Sequence, residues 1–202
     1  MKVVLIRHGL TKGNLEKRYV GSTDESLCDE GVSRLQKLVF NQIYPAVRQV
    51  FISPMKRCKE TAGIVYPHQH PMIEEDFKEC DFGSFEYKTY EQLKENADYI
   101  RWLDSEGKGK IPQGEGQEVF KLRCHKAFYN IIENLTVPFD ENEAIGFILH
   151  GGTIMAIMEK YAYPAENFYH WQCKNGEGYV CRWDFARKVL LPESKIYLQD
   201  FN

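Results

Sequence analysis

Residues 2–9, Lys2-Val3-Val4-Leu5-Ile6-Arg7-His8-Gly9, decide the fold of this chain. A short apolar run that is rich in β-branched residues predicts a buried strand. The run ends abruptly in Arg7, His8 and Gly9, and ligands of open α/β sheets bind just beyond the carboxyl ends of the strands. The stretch therefore predicts an α/β sheet with a ligand site at the end of its first strand. A strand end with a solvent-facing basic pair is the alternative that these three residues leave open.

The three residues after the strand suit an anionic ligand. The guanidinium of Arg7 presents a planar fork to an anion. The imidazole of His8 can attack phosphorus or carry a proton. Gly9 allows the backbone to turn and to approach a ligand closely.

The composition bounds the class of protein. The chain has 202 residues, of which 43% are hydrophobic and 27% are charged, as in a globular protein with one sizeable core. The net charge of −3 argues against a general nucleic-acid binder, which needs a basic face. No apolar run approaches the roughly 20 residues of a membrane span, and the N-terminal run is too short for a signal peptide. We therefore expect a cytoplasmic protein with reduced cysteines and with neither a nucleic acid nor a membrane as partner.

A second strand end delivers a second arginine. Residues 50–52, Val-Phe-Ile, predict a strand, and the serine and proline that follow favour a helix start with Ser53 as N-cap and Pro54 in the first helical position. Arg57 then lies in the first turn, where free N–H groups and the helix dipole attract an anion. The preceding segment, 10–24, is predicted to be a polar loop over the strand ends.

The same pattern returns late in the chain. Residues 144–149, Ala-Ile-Gly-Phe-Ile-Leu, predict a buried strand that runs into His150-Gly151-Gly152-Thr153 and then into an apolar helix. A second histidine thus reaches a strand end and a helix N-terminus. Residues 117–135 predict a structural helix, and the alternating segments 179–183 and 188–198 predict an edge hairpin.

Between Pro67 and Gly116 the pattern is looser. His68 and His70 lack a third ligand at metal-site spacing, which favours an exposed loop over a metal site. Glu79 and its acidic neighbours lie among aromatic residues, and an apolar wall raises the pKa of a carboxyl as a general acid requires. Ordinary solvated carboxylates are the alternative there.

Taken together, these motifs resemble the histidine phosphatase superfamily, also called the phosphoglycerate mutase-like family. Four segments carry the resemblance in family order: Arg7-His8-Gly9, Ser53-Pro54-x-x-Arg57-x-x-x-Thr61-Ala62, Glu79-x-x-Phe82-Gly83-x-Phe85-Glu86 and His150-Gly151-Gly152. The resemblance implies one domain over residues 1–202, built as a three-layer α/β/α sandwich with a largely parallel central sheet. A small cap insertion, roughly residues 67–116, is expected to cover the C-terminal ends of the strands.

The resemblance also implies a role for each site residue. His8 is the expected nucleophile and forms a phosphohistidine. The phosphoryl group is expected to be bound by Arg7, Arg57 and His150, with Asn14, Gly21 and Gly151 assisting. Glu79 is expected to protonate the leaving oxygen and later to deprotonate the attacking water. Neither a metal nor a cofactor is implied.

The implied activity is metal-independent hydrolysis of a small phosphorylated metabolite. Residues 21–24 and the segment Pro112-x-Gly114-Glu115 resemble α-ribazole phosphatases of cobalamin biosynthesis, which makes α-ribazole 5′-phosphate a candidate substrate. Leu10 stands where the family usually has Glu or Gln, so details of the substrate stay open. A mutase that returns the phosphoryl group to substrate and a non-catalytic phospho-ligand binder are the alternatives, and a homodimer is left open.

Overall fold

The structure is a computed structural model that describes residues 1–135, 140 and 142–197. The described strands are β1 (Lys2–Arg7), β2 (Gln49–Ile52), β3 (Met72–Ile73), β4 (Ala144–Leu149), β5 (Gly178–Asp184) and β6 (Val189–Ile196). The described α-helices are α1 (Lys12–Leu15), α2 (Asp29–Phe40), α3 (Lys56–Val65), α4 (Tyr90–Leu93), α5 (Ala97–Asp104), α6 (Gln117–Glu133) and α7 (Gly151–Tyr161). No helix in these ranges is long and apolar enough to cross a membrane.

The six strands form one sheet in the order β3-β2-β4-β1-β5-β6. Its first four strands are parallel, and the β5–β6 hairpin continues it in antiparallel fashion beside β1. The predicted hairpin is confirmed at this edge, although Leu198 lies outside the described residues. Because β1 and β4 are neighbours, Arg7 pairs with Leu149 in register, and the segments that follow both strands begin side by side.

The buried side chains of β1 alternate between two cores. Val3 and Leu5 pack with side chains of α6 and α7 on one face of the sheet. Val4 and Ile6 pack with side chains of α2 and α3 on the other face. Two helical layers on a largely parallel sheet confirm the predicted three-layer α/β/α sandwich.

Two local predictions need correction. The helix after β2 begins at Lys56 with Met55 as its N-cap, so Ser53 is not the cap and Pro54 is not the first helical residue. Arg57 still lies in the first turn, and the hydroxyl of Ser53 contacts another strand end instead. The loop after β1 contains the short helix α1, which Thr11 caps by accepting from the backbone N–H of Asn14.

The segment predicted as a cap lies partly in the sheet. Met72 and Ile73 form the edge strand β3, so the part outside the sheet begins after Ile73. Beyond it, α4 and α5 surround a third core that includes Phe85, Leu93 and Tyr99 and reaches the start of α6 at Phe120.

Candidate active site

His8 and His150 follow neighbouring strands and meet. The backbone N–H of His8 donates to the carbonyl of Leu149 at 2.9 Å, which continues the β1–β4 ladder to the histidines. The two rings lie 5.1 Å apart between centroids, edge to face, and both residues are buried. The pairing of two parallel strands therefore brings together two histidines that are 142 positions apart in the sequence (150 − 8).

The tautomer of His8 follows from the hydrogen bond of its ring. Nδ1 of His8 lies 2.7 Å from the carbonyl oxygen of Gly9. A carbonyl oxygen only accepts, so the proton of the neutral ring is on Nδ1. The lone pair is then on Nε2, the nitrogen that is free to attack.

Arg57 joins the pair through His150. Its Nε donates to Nδ1 of His150 at 3.2 Å, and its two terminal nitrogens donate to the carbonyls of Thr23 and Gly21 at 2.8 and 2.9 Å. Nε2 of His150 lies 2.7 Å from Oγ of Ser53. Both ring nitrogens of His150 thus have protein partners, and direct contact with a phosphoryl group requires Nε2 to leave Ser53. The phosphoryl-binding role of His150 stays a prediction.

Both histidines are neutral at neutral pH in this setting. Burial, followed by the positive charge of Arg57, holds the pKa of His8 well below its ordinary value of 6.5. The same two causes, in the same order, lower the pKa of His150. A neutral His8 keeps its lone pair, which a nucleophile needs.

Arg7 lies at the mouth of this buried group. One terminal nitrogen donates to the carbonyl of Cys173 at 2.7 Å, whereas its buried Nε has no hydrogen-bond partner within the described part of the chain. A Cβ at Gly151 would come within 3.3 Å of the guanidinium carbon of Arg7. Arg7 therefore lies against the N-terminus of α7, and both features attract an anion.

Glu79 approaches the same helix terminus. Its Oε2 accepts from the backbone N–H of Gly152 at 2.8 Å, and its Oε1 accepts from that of Cys80 at 2.9 Å. A Cβ at Gly152 would come within 2.4 Å of Oε1, so this contact depends on glycine. Burial raises the pKa of Glu79 above its ordinary value despite these hydrogen bonds, as suits a proton donor.

The neighbouring acids have other tasks. Glu86 accepts from the backbone N–H groups of Gly21, Ser22 and Phe82, and so holds the first loop to the cap segment. Asp81 accepts from the backbone N–H of Gly83 and from the hydroxyl of Ser22. Neither of these two acids lines the cavity that Glu79 lines, so the geometry favours Glu79 among the rivals.

A cavity of about 380 Å³ opens above these residues. Its lining includes Arg7, Asn14, Glu79 and Gly151, whereas the buried His8, Arg57 and His150 lie behind that lining. The lining also contains six aromatic residues, called the aromatic wall below: Tyr19, Phe82, Trp102, Phe120, Phe168 and Tyr169. Glu79 is the one carboxylate among the described lining residues.

Asn14 and Gly21 take different positions. Asn14 lines the cavity, and its Oδ1 accepts from the side-chain amide of Asn175 at 2.9 Å. The N–H of Gly21 donates to the carboxylate of Glu86, and its carbonyl accepts from Arg57. A Cβ at this position would come within 1.9 Å of the Cys80 carbonyl oxygen. Gly21 thus holds Arg57 in place from the first loop.

Several supporting residues carry no signal in the sequence. Buried Asn175 donates to the carbonyls of His8 and Gly9 as well as to Asn14. Arg123 of α6 donates to the carbonyl of Glu79. The contacts of Asn175 with His8 and of Arg123 with Glu79 span 167 and 44 positions, where no spacing rule applies. For Thr61, part of the second arginine motif, the structure adds that its hydroxyl accepts from Gly9 N–H and donates to the Arg57 carbonyl.

The sequence and the structure both have known relatives. Residues 3–192 match the Histidine phosphatase superfamily (branch 1). The Adenosylcobalamin/alpha-ribazole phosphatase of Escherichia coli (strain K12) is 24% identical over 181 residues, which cover 87% of each chain. The Probable phosphoglycerate mutase GpmB of Salmonella typhi is 28% identical over 137 residues, which are 66% of this chain and 64% of that protein. The match therefore spans less than two thirds of the mutase.

Solved structures of similar shape agree with the fold. The alpha-ribazole phosphatase from Shigella flexneri superposes with a TM-score of 0.82 at 22% identity, over 98% of this chain and 96% of that one. A phosphoglycerate mutase from Thermus thermophilus superposes with a TM-score of 0.71 at 24% identity, over 98% and 100%. At such identities the likeness bears on the fold alone.

Proposed function

This chain belongs to branch 1 of the histidine phosphatase superfamily, and we propose that it hydrolyses a phosphomonoester through a phosphohistidine on His8. The observation that carries the proposal is the free Nε2 of a neutral, buried His8. Arg57 donates to the ring of His150, and that ring packs edge to face against the ring of His8. Phosphoryl transfer depends mainly on positioning and on stabilisation of charge, which two fixed arginines and a helix terminus supply without a metal.

Each half of the reaction uses the same groups. In the first half, Nε2 of His8 bonds to phosphorus, the ester P–O bond breaks, and the proton of Glu79 passes to the leaving oxygen. The Nδ1–H of His8 keeps its hydrogen bond to the carbonyl of Gly9, and this bond stabilises the positive ring of the phosphohistidine. In the second half, Glu79 takes a proton from water, the water oxygen bonds to phosphorus, and the P–N bond breaks to release phosphate.

The cavity favours a substrate with a flat apolar leaving group. Its aromatic wall can pack against a ring system, with offset or edge-to-face contacts. The one further arginine in the described lining, Arg18, is paired with Glu16 at 2.5 Å and is less available to a second anionic group such as a glycerate carboxylate. These features support α-ribazole 5′-phosphate, the phosphate of a nucleoside-like molecule, over a phosphoglycerate.

The test of the mechanism is covalent labelling. The protein is mixed briefly with ³²P-labelled substrate and quenched in alkali, which preserves phosphohistidine. We expect label on His8, and we expect His8→Ala to lose both label and turnover while circular dichroism and thermal melting show a folded protein. Turnover by a folded His8→Ala variant, or a protein that binds phosphate without turnover, would contradict the proposal. The second result would support the phospho-ligand binder.

Product analysis separates hydrolase from mutase. The protein is incubated with 3-phosphoglycerate, with and without a bisphosphate primer, and in parallel with α-ribazole 5′-phosphate. Release of inorganic phosphate that does not depend on the primer supports hydrolysis. Primer-dependent isomerisation without phosphate release would identify a mutase. Cytoplasmic location stays a prediction, and a homodimer stays open.

A further inference from the structure

Arg123 uses its whole hydrogen-bonding capacity beside the general acid. Its Nε and one Nη2 hydrogen donate to the two carboxylate oxygens of Glu115 at 2.8 and 2.7 Å. Nη1 donates to the carbonyls of Asp76 and Lys78 at 2.6 and 2.7 Å, and Nη2 also donates to that of Glu79 at 3.1 Å. A guanidinium has five N–H donors, so this arginine keeps none for a substrate.

The contacts of Arg123 fix the backbone that carries Glu79. Three of the four carbonyls from Asp76 to Glu79 point at its guanidinium, and the remaining one, of Phe77, accepts from the hydroxyl of Thr153 at 3.4 Å. The side chain of Phe77 is fully buried in the core under β4. This short segment is therefore held from α6, from α7 and from the core at once.

Glu115 holds the arginine and the following residues. Its backbone N–H donates to the carbonyl of Asp81 at 2.9 Å, and its carboxylate pairs with Arg123 in a partly buried ion pair. The guanidinium also lies 4.9 Å above the ring of Phe120, which lines the cavity. A bidentate pair of this kind fixes direction as well as distance.

From this arrangement we propose that Arg123, held by Glu115, is the positioning residue of the proton donor Glu79. The proposal rests on the proposed function, because it assigns a partner to the acid of that reaction. The carboxyl of Glu79 reaches the N–H of Gly152 at 2.8 Å only while its backbone keeps this direction. General-acid catalysis depends on such geometry before it depends on pKa.

A lysine cannot replace this arginine fully. Its ammonium is a single point with three donors, whereas the contacts of Arg123 spread over three carbonyls and two carboxylate oxygens. Arg123→Lys keeps the charge and some of the contacts, and Arg123→Met removes both. Glu79 should therefore be less displaced in Arg123→Lys than in Arg123→Met.

The experiment compares two leaving groups. Rates are measured with glycerol 2-phosphate, whose alkoxide needs a proton, and with p-nitrophenyl phosphate, whose phenolate needs it much less. Burst kinetics first identify conditions in which phosphorylation of His8 limits the rate. We expect Arg123→Met to slow glycerol 2-phosphate by about tenfold or more, within the range of a weakened general acid, and to slow p-nitrophenyl phosphate much less. Arg123→Lys should fall between this variant and the parent.

Two readouts separate positioning from loss of structure. In Arg123→Lys, which keeps the positive charge beside Glu79, the alkaline limb of kcat/KM should move to lower pH, because a loosened Glu79 reaches water and its pKa falls. In a Glu79→Gln background, Arg123→Met should cause no further loss on glycerol 2-phosphate, because coupled residues are not additive. Glu159→Gln is the control, since it removes another partly buried ion pair of α6, between Lys121 and Glu159, without touching residues 76–79, and it leaves Lys121 on the ring of Phe168.

Failure of the positioning role of Arg123 and failure of the proposed function give different experimental results. Label on His8 and loss of alkyl phosphate turnover in Glu79→Gln establish the reaction on which the proposal rests. With those in hand, equal slowing of both substrates by Arg123→Met, an unmoved alkaline limb in Arg123→Lys, or full additivity of Arg123→Met with Glu79→Gln would overturn the positioning role. Absence of phosphohistidine would instead overturn the proposed function, and the positioning role with it.

Discussion

Oγ of Ser53 lies 2.7 Å from Nε2 of His150, and Arg57, on the other side of the ring, decides that this nitrogen carries the proton. Nδ1 of the same ring accepts from Nε of Arg57, which is always a donor. The proton of the neutral ring is therefore on Nε2 and points to Ser53. A serine at the end of β2 thus orients a histidine at the end of β4, and that histidine meets Arg57.

Replacement of Ser53 should weaken both stability and catalysis. In Ser53→Ala the buried Nε2–H of His150 loses its acceptor, which costs about 1–3 kcal/mol in the free energy of unfolding. We expect kcat/KM to fall because the ring that supports Arg57 is less fixed. Urea denaturation and p-nitrophenyl phosphate turnover measure the two effects. Ser194→Ala, at an exposed position of β6, is the control and should leave both unchanged.

Acid should destabilise the protein through its buried histidines. The lowered pKa of His8 means that, below pH 6.5, the unfolded chain takes up a proton that the native ring refuses. Native stability therefore falls with decreasing pH, by up to about 1.4 kcal/mol for one such group between pH 7.5 and 5.5. Glu79 acts in the opposite sense, because its raised pKa makes the native state bind the proton at a higher pH than the unfolded chain does.

A double difference isolates the contribution of His8. Urea denaturation of the parent and of His8→Ala is measured at pH 7.5 and 5.5. The parent should lose more stability on acidification than the variant does, by up to the same amount of about 1.4 kcal/mol. Equal losses in the two proteins would show that the native pKa of His8 is ordinary.

The main features of the fold were predictable because they are local. Residues 3–6 and 144–149 are continuous apolar runs, and each leads into a polar motif, so both strands and their functional ends are apparent from the sequence. The α/β pattern predicts that these strands run parallel, whereas the adjacency of β1 and β4 is known only from the structure. In contrast, β3 has two residues and no periodicity of its own, so only its pairing with β2 reveals it.

The supporting contacts of the site were not predictable for a physical reason. Ser53 has the chemistry of an N-cap, but its hydroxyl serves His150, 97 positions away, and the helix begins later. Glu79 was selected by family spacing alone. Its distinction from Glu86 arises from burial and from the N–H of Gly152, both of which are products of tertiary packing.

Activity should not depend on a divalent metal. Arg7 and Arg57 supply positive charge at the site, and no group of three His, Cys, Asp or Glu residues in the described ranges could hold a metal ion. Turnover should therefore persist in excess EDTA after dialysis against the chelator. Loss of turnover that a divalent ion restores would reverse this expectation and would direct attention to His68 and His70.

The aromatic wall of the cavity should set the preference for leaving groups. Tyr169 lines the cavity and is packed edge to face on Phe168, with ring centroids 5.2 Å apart. Its removal takes contact area from an aromatic leaving group but leaves the phosphoryl site intact. In Tyr169→Ala we expect KM for 1-naphthyl phosphate to rise about 5- to 20-fold, which corresponds to a contact worth about 1–2 kcal/mol. KM for glycerol 2-phosphate should stay within about twofold, because a small polar leaving group buries little apolar area.

A matched variant makes this comparison specific to the cavity. Tyr90 has the same exposed fraction as Tyr169, 54%, and also packs on an aromatic neighbour, Tyr99, but it is not part of the cavity lining. Tyr90→Ala should leave the ratio of the two KM values at that of the parent. If Tyr169→Ala raises both KM values alike, the aromatic wall does not select the leaving group. The preference for a ring-bearing substrate such as α-ribazole 5′-phosphate would then lose its structural basis, whereas phosphorylation of His8 would be unaffected.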